Sequence, residues 1–180
     1  MIGRQEYEDV LNKTLSYFEK AKIVLTENEK TNVEIADFGL GEIYVSGLQL
    51  CTYINTDRVC AKEMVVLPHQ TCPEHRHPDI NGQPGKEETF RCRYGKVYLY
   101  VDGDATQNRQ CSVPEGSEAY YSAFKEVELT PGDQYTICPN TRHWFQAGEE
   151  GTVISEFSTH SDDTTDIFTD IRIKRIPEIK

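Results

Sequence analysis

No stretch of the sequence approaches the roughly 18 consecutive apolar residues that a membrane-spanning helix requires, so an integral membrane protein is not expected. Positive charge is scarce. Lys and Arg number 19 against 30 Asp and Glu, for a net charge of −11. Such a surface repels phosphate backbones and anionic lipid, which argues against nucleic acid and membrane partners. It excludes neither neutral sugars nor metal cations. The opening Met1-Ile2-Gly3-Arg4-Gln5-Glu6-Tyr7-Glu8 lacks an apolar segment, so no secretory leader is expected. CxxC spacing is also missing. The six cysteines (Cys51, Cys60, Cys72, Cys92, Cys111 and Cys138) are scattered and read as reduced, mostly as small buried hydrophobes. The expected compartment is the cytoplasm. There is no internal repeat, low-complexity tract or obvious linker, and 180 residues suit one domain.

Within that frame, the first twenty residues read as an amphipathic helix. Tyr7, Val10, Leu11, Leu15 and Phe18 recur at helical spacing, with Glu and Lys between them. Residues 1–32 are taken as a helical arm that packs on the main body or a second subunit. From Val33 the pattern changes to short runs of Val, Ile, Tyr and Thr between Gly, Pro, Asn and Asp turns. Expected strands are 43–45, 49–55, 61–67, 71–77, 88–94, 96–102, 125–129, 134–137, 143–147 and 152–158. This spacing predicts an all-β sandwich or jelly roll over residues 33–180. The segment 102–123 reads as an irregular insertion loop, and the charged tail 161–180 as a strap across the barrel.

His75-Arg76-His77 is the sharpest feature. Two histidines at i and i+2 of a strand share a face. Glu88 opens the next strand-like run, and His143 follows the turn Pro139-Asn140-Thr141-Arg142. Three imidazoles and a carboxylate suit Mn, Fe, Co, Ni or Zn. A six-coordinate ion held by four groups keeps two adjacent positions for substrate oxygens, which suits chelation of a hydroxy-carbonyl. Each residue alone has an ordinary reading: a surface carboxylate for Glu88, a satisfied core ring for His143. The joint pattern on successive strands is what points to metal.

That pattern resembles the cupin superfamily. Its first motif is matched by His75-Arg76-His77, ten intervening residues, Glu88, six residues and Gly95, with a longer gap before the Glu than is usual. Its second motif is matched by Gly132, Pro139 and His143. The resemblance implies a cupin jelly-roll β-barrel with the N-terminal helical arm added.

A closer resemblance is carried by Asn55-Thr56-Asp57-Arg58, Cys72-Pro73-Glu74-His75-Arg76-His77-Pro78, Glu88 through Val101, Pro139 through Gly148, and Asp166-Ile167-Phe168-Thr169-Asp170. These stretches are similar to the bacterial cupin-type D-lyxose isomerases. The family implies a homodimeric, Mn-dependent interconversion of D-lyxose and D-xylulose, with D-mannose to D-fructose as a side activity. Ile171 departs from the proline expected after Asp170, and the tail is extended; neither touches a ligand.

Aldose–ketose isomerisation through a cis-enediol needs a base near both reacting carbons. Glu156, in the apolar run Val153-Ile154-Ser155-Glu156-Phe157, is the choice: if Ile154 faces the core, so does Glu156. An outward face or a pairing with a buried Lys is the competing role. Lys62 shares the face of Met64 and Val66 and is assigned to substrate oxygens or charge neutralisation; an edge lysine whose head reaches solvent is the alternative. Asp166 suits distal sugar hydroxyls, an acid at O5, or a turn cap. Trp144 and Phe145 offer a stacking wall or core packing. Arg91 and Arg93, and likewise Glu74 and Glu87, have the wrong strand parity for the metal face. An Fe-dependent cupin dioxygenase, a non-catalytic sugar-binding cupin and a plain structural metal site are the rival functions.

Overall fold

The computed structural model describes residues 2–176. Helix α1 (Arg4–Lys20) comes first, then a single short helix α2 (Glu27–Thr31), which Thr26 and Glu29 start with a reciprocal capping box. Strands follow as β1 (Glu34–Ala36), β2 (Leu48–Asn55), β3 (Cys60–Val66), β4 (Thr71–Arg76), β5 (Glu88–Val101), β6 (Lys125–Leu129), β7 (Gln134–Ile137), β8 (His143–Ser158) and β9 (Ile167–Phe168).

The long strand β8 is the spine. One edge pairs with β3 through its C-terminal half and with β4 through its N-terminal half, while the other edge runs along β5. The path β1-β2-β3-β8-β4-β9 is continued sideways by β5, which also holds β6 and β7. All these strand pairs are antiparallel, and the sheet curls around one interior. This is the expected all-β, cupin-like architecture.

Period-two alternation sorts the side chains. Leu50, Met64, Val66, Phe90, Leu99, Phe145 and Ile154 fill the interior. Val65, Val153 and Cys51 point to the outer face, where Val10 and Phe18 of α1 cover them. Full burial of such a side chain contributes about 1.5–3 kcal/mol, which is why the amphipathic arm stays on the sheet. Tyr17 ties it down further by donating its hydroxyl to the Glu150 carbonyl at 2.9 Å.

The structure differs from the sequence expectation in particular places. Residues 43–45 are a turn, not a strand: Val45 and Ser46 both donate to the Glu42 carbonyl, a local bonding pattern that overrides the β propensity of Ile43, Tyr44 and Val45. β5 continues through Gly95, which adopts φ +67 and marks a bulge because a Cβ there would meet the Gly151 carbonyl at 1.9 Å. β8 likewise continues where two strands were expected, its residues between Ala147 and Thr152 swelling out of the β5 register. The short elements α2, β1 and β9 were not anticipated. The tail does cross the barrel through β9, which pairs with β4; its residues 177–180 lie outside the described residues.

Candidate active site

Strand geometry brings the ligand atoms of His75, His77, Glu88 and His143 within 4.8 Å of one another, and all four residues are buried. His75 comes from the end of β4 and His77 from the residue just past it, Glu88 from the start of β5 and His143 from the start of β8. The register explains the meeting, since His75 lies opposite His143 on β4–β8. The long gap before Glu88 is a folded-back loop. Ile80 and Gln83 bond to each other around Asn81-Gly82, both at positive φ, a two-residue turn. Gly85 then passes against the His77 carbonyl, where a Cβ would lie 2.1 Å from the oxygen. Only glycine permits that return path.

Each imidazole is held from behind. His75 Nδ1 donates to the Pro73 carbonyl at 2.8 Å, His143 Nδ1 to the Thr141 carbonyl at 2.9 Å, and His77 Nδ1 to Asp166 Oδ1 at 2.5 Å. A ring that donates through Nδ1 turns Nε2 toward the cluster, where His77 Nε2 lies 3.3 Å from Glu88 Oε1 in a hydrogen bond. His143 Nε2 is fully buried and, although 2.9 Å from Glu88 Oε1, makes no hydrogen bond of proper geometry among the described residues. An orphaned buried nitrogen facing a carboxylate and two further Nε2 atoms fits a divalent cation. Three nitrogens and one oxygen, with each ring held through its Nδ1, are the donor set of a borderline transition ion.

Charge in the pocket is tightly balanced. Burial opposes ionisation of Glu88, but Lys86 and His77 hold its carboxyl well below the usual range. Burial likewise opposes the charged form of His77, yet Glu88 and Asp166 outweigh it and raise the ring to about 9. His75 is pushed the other way, well below an ordinary histidine, by burial and by the neighbouring rings of His143 and His77.

Beside the ligands sits a residue that the sequence pattern did not single out. Lys86 Nζ lies 2.6 Å from Glu88 Oε2 and 3.1 Å from Glu156 Oε1. Burial alone would lower its pKa, but Glu156 and Glu88 raise it above that of a free lysine. Its signal was its position two residues before Glu88, on the same face; the loop's Pro and Gly obscured the parity. Glu156 is buried, faces inward with Ile154, and also accepts from the Ser158 hydroxyl at 3.0 Å. Lys62 is buried opposite it on β3, bonded to Ser161 Oγ at 2.9 Å and paired with Asp163 at 3.3 Å. Asp163 in turn meets Arg175 at 2.6 Å. Lys62, Glu156, Asp166 and Phe145 therefore all line one chamber with His75, His77 and Glu88. A second pocket of about 470 Å³, here called the mouth, adjoins it, sharing His77, Lys86 and Asp166 with the chamber and bounded also by Arg58, Gln83 and His160.

Other sequence candidates lie elsewhere. Trp144 stacks on Tyr100, 4.0 Å between ring centroids, and donates to the Ala123 carbonyl, so it belongs to a separate buried cluster. The aromatic face over the site is instead Phe168, stacked 5.2 Å from His75. Arg91 and Arg93 reach Gln134 and Ser155 on the outside of the sheet.

The family model described as D-lyxose isomerase matches residues 11–180. The chain belongs to the D-lyxose isomerase family. A D-lyxose/D-mannose isomerase of Thermosediminibacter oceani is 62% identical over 180 residues, covering 100% of this chain and 99% of that protein. A D-lyxose ketol-isomerase of Cohnella laeviribosi is 58% identical, covering 97% of this chain and 96% of its own length. Among solved structures, an L-ribose isomerase of Cellulomonas parahominis superposes with a TM-score of 0.81 at 17% identity, covering 99% of this chain and 98% of that one. At that identity the likeness concerns the fold alone. For a D-lyxose isomerase family member the buried His/Glu cluster is compatible with a metal site, and no helix among the described residues is long and apolar enough to cross a membrane.

Proposed function

We propose that this chain is a metal-dependent aldose–ketose isomerase that interconverts D-lyxose with D-xylulose, and D-mannose with D-fructose, by proton transfer through a cis-enediol. Support comes from the D-lyxose and D-mannose names of its relatives and from one geometric fact: a single ammonium, Lys86 Nζ, lies within 2.6 Å of the ligand Glu88 and 3.1 Å of Glu156. A carboxylate that can accept a proton thus stands one cation away from the ligand cluster. His75, His77, Glu88 and His143 would hold the ion. When bound, the divalent cation (manganese in this proposal, with Fe, Co, Ni and Zn sharing the donor preference) polarises the carbonyl and adjacent hydroxyl oxygens of the sugar.

The protein's own groups then do the rest. Glu156 takes the proton from C2 and returns it to C1, while the hydroxyl proton moves from O2 to O1. Lys62 and Lys86 face the developing negative charge on those oxygens. Asp166 holds His77 through one carboxylate oxygen, and its position between chamber and mouth suits contact with distal hydroxyls through the other. Phe145 forms part of the apolar floor. The working form in this proposal is a cytoplasmic homodimer.

A dioxygenase would share the donor set, and a sugar-binding cupin would share the pocket. Neither needs a buried carboxylate paired to an ammonium beside the ligands. The decisive experiment incubates a panel of pentoses and hexoses with Mn-loaded and EDTA-treated protein and measures ketose. Ketose from D-lyxose and D-mannose only in the loaded protein is expected; equal rates after chelation would refute metal dependence.

A further inference from the structure

Glu74 has the wrong strand parity to touch the metal ligands, and the proposed chemistry makes no use of it. It is nevertheless a carboxylate only 1% exposed. Its Oε2 accepts from the backbone amides of Ser122 at 2.6 Å and Ala123 at 2.7 Å. Its Oε1 accepts from the hydroxyls of Ser122 at 2.9 Å and Thr169 at 2.7 Å. The Glu74 carbonyl also accepts from the Thr169 amide at 3.0 Å.

These contacts join three pieces of chain behind the site. β4 carries His75 and leads directly into His77. The loop at residues 122–123 receives the indole N–H of Trp144, next to His143. The strap around β9 carries Asp166, which fixes His77, and Phe168, which stacks on His75. We propose that Glu74 is a positioning residue of the metal centre, clamping the strap with Asp166 and Phe168 onto the strand that bears His75 and leads into His77. The proposal rests on the metal reading above and extends it to this chain's own scaffold.

A carboxylate suits this task because it offers acceptors to four donors at once and makes charge-assisted bonds of about twice the ordinary strength. Glutamine can keep its oxygen on the two amides and turn its NH₂ to the two hydroxyls, so Glu74→Gln is expected to fold with a weakened grip. Thr169→Val cuts only the strap side of the clamp.

The test titrates both variants and the parent with Co²⁺ alone, and follows hydrogen exchange in the metal-free proteins. Both variants should bind Co²⁺ about tenfold more weakly, the lower end of what partners of metal ligands usually contribute. Amides at 166–170 should exchange faster while those of β3 and β5 stay protected. Turnover lost at low metal should return at saturating metal, and faster exchange confined to 166–170 separates the clamp from a general loss of stability, which metal would also rescue. Unchanged Co²⁺ affinity in Thr169→Val, whether or not Glu74→Gln is soluble, overturns the proposal. If the parent itself fails to bind Co²⁺, the metal reading falls, and the exchange data alone decide the clamp, with unchanged exchange at 166–170 refuting it.

Discussion

Lys62 and Glu156 face each other as register partners across β3 and β8, yet each is ion-paired elsewhere, Lys62 with Asp163 at 3.3 Å and Glu156 with Lys86 at 3.1 Å. The chamber therefore holds two separate ion pairs on neighbouring positions. One is tied to the strap through Asp163 and Arg175, the other to the ligand Glu88 through Lys86. That division assigns Glu156 to the side nearer the ligand cluster.

Glu156→Gln tests it. The amide keeps size and hydrogen bonding but accepts no proton. Metal content should stay at the parental level while kcat falls about 10²–10⁴-fold, the usual weight of a general base. Metal analysis beside steady-state rates reads both. A near-parental kcat would move proton transfer to another group.

Lys86→Met keeps the length of the side chain and removes the ammonium between Glu88 and Glu156. Two buried carboxylates are then left without their shared cation, a change that costs more than the pair contributed. Lys86 heads the influences that offset burial and keep Glu88 ionised, so the variant should need higher pH to bind metal. kcat at neutral pH should fall by at least about tenfold. A parental pH dependence of Co²⁺ binding would show that Lys86 does not set the charge of the ligand.

The buried quartet was readable because its spacing survives any detail of packing: strand parity places His75 with His77, and Glu88 and His143 each open a new strand. Glu156 was readable as an inward-facing charge in an apolar run, and its ion pair with the buried Lys86 is the competing role named for it. Lys86 was not, because parity cannot be followed through Pro84 and Gly85 without knowing that the loop folds back on His77. Asp166 was read as a sugar contact or cap, whereas its bond to His77 depends on the strap returning beside β4, a long-range pairing with no local signature. The unbroken lengths of β5 and β8 were hidden for a similar reason. Gly95 and the glycines near 148–151 look like turns, and only the approach of the two strands turns them into bulges.

Glu63 gives a pH prediction away from the chemistry. It projects to the outer face of β3, where burial raises its carboxyl above the ordinary value and Ser155 and Arg93 offset only part of that. The folded chain then holds a proton that the unfolded chain releases. Stability tied to this group is present at acid pH and is lost as pH rises through the folded-state pKa. Glu63→Gln, which still accepts from Ser155, should remove that loss. Its thermal midpoint should exceed the parent's at pH 8, by about 2–4 °C per kcal/mol relieved, and match it near pH 4. An equal or lower midpoint at pH 8 would contradict this.

Asp166→Asn separates two roles that one carboxylate can play. The bond from His77 Nδ1 at 2.5 Å makes Asp166 the group that fixes this ring and increases its basicity toward a cation. Asparagine can still accept that bond through its amide oxygen, so the ring should keep its orientation and lose the charge behind it. Co²⁺ should bind about 10–100-fold more weakly, and turnover at saturating metal should recover most of the parental kcat. If Asp166 acted chiefly on distal hydroxyls of the sugar, the outcome would be the reverse: parental Co²⁺ affinity with a raised KM, largest for the hexose, which has one more hydroxyl to hold. Measuring Kd for Co²⁺ and KM for D-lyxose and D-mannose on the same preparation distinguishes the two.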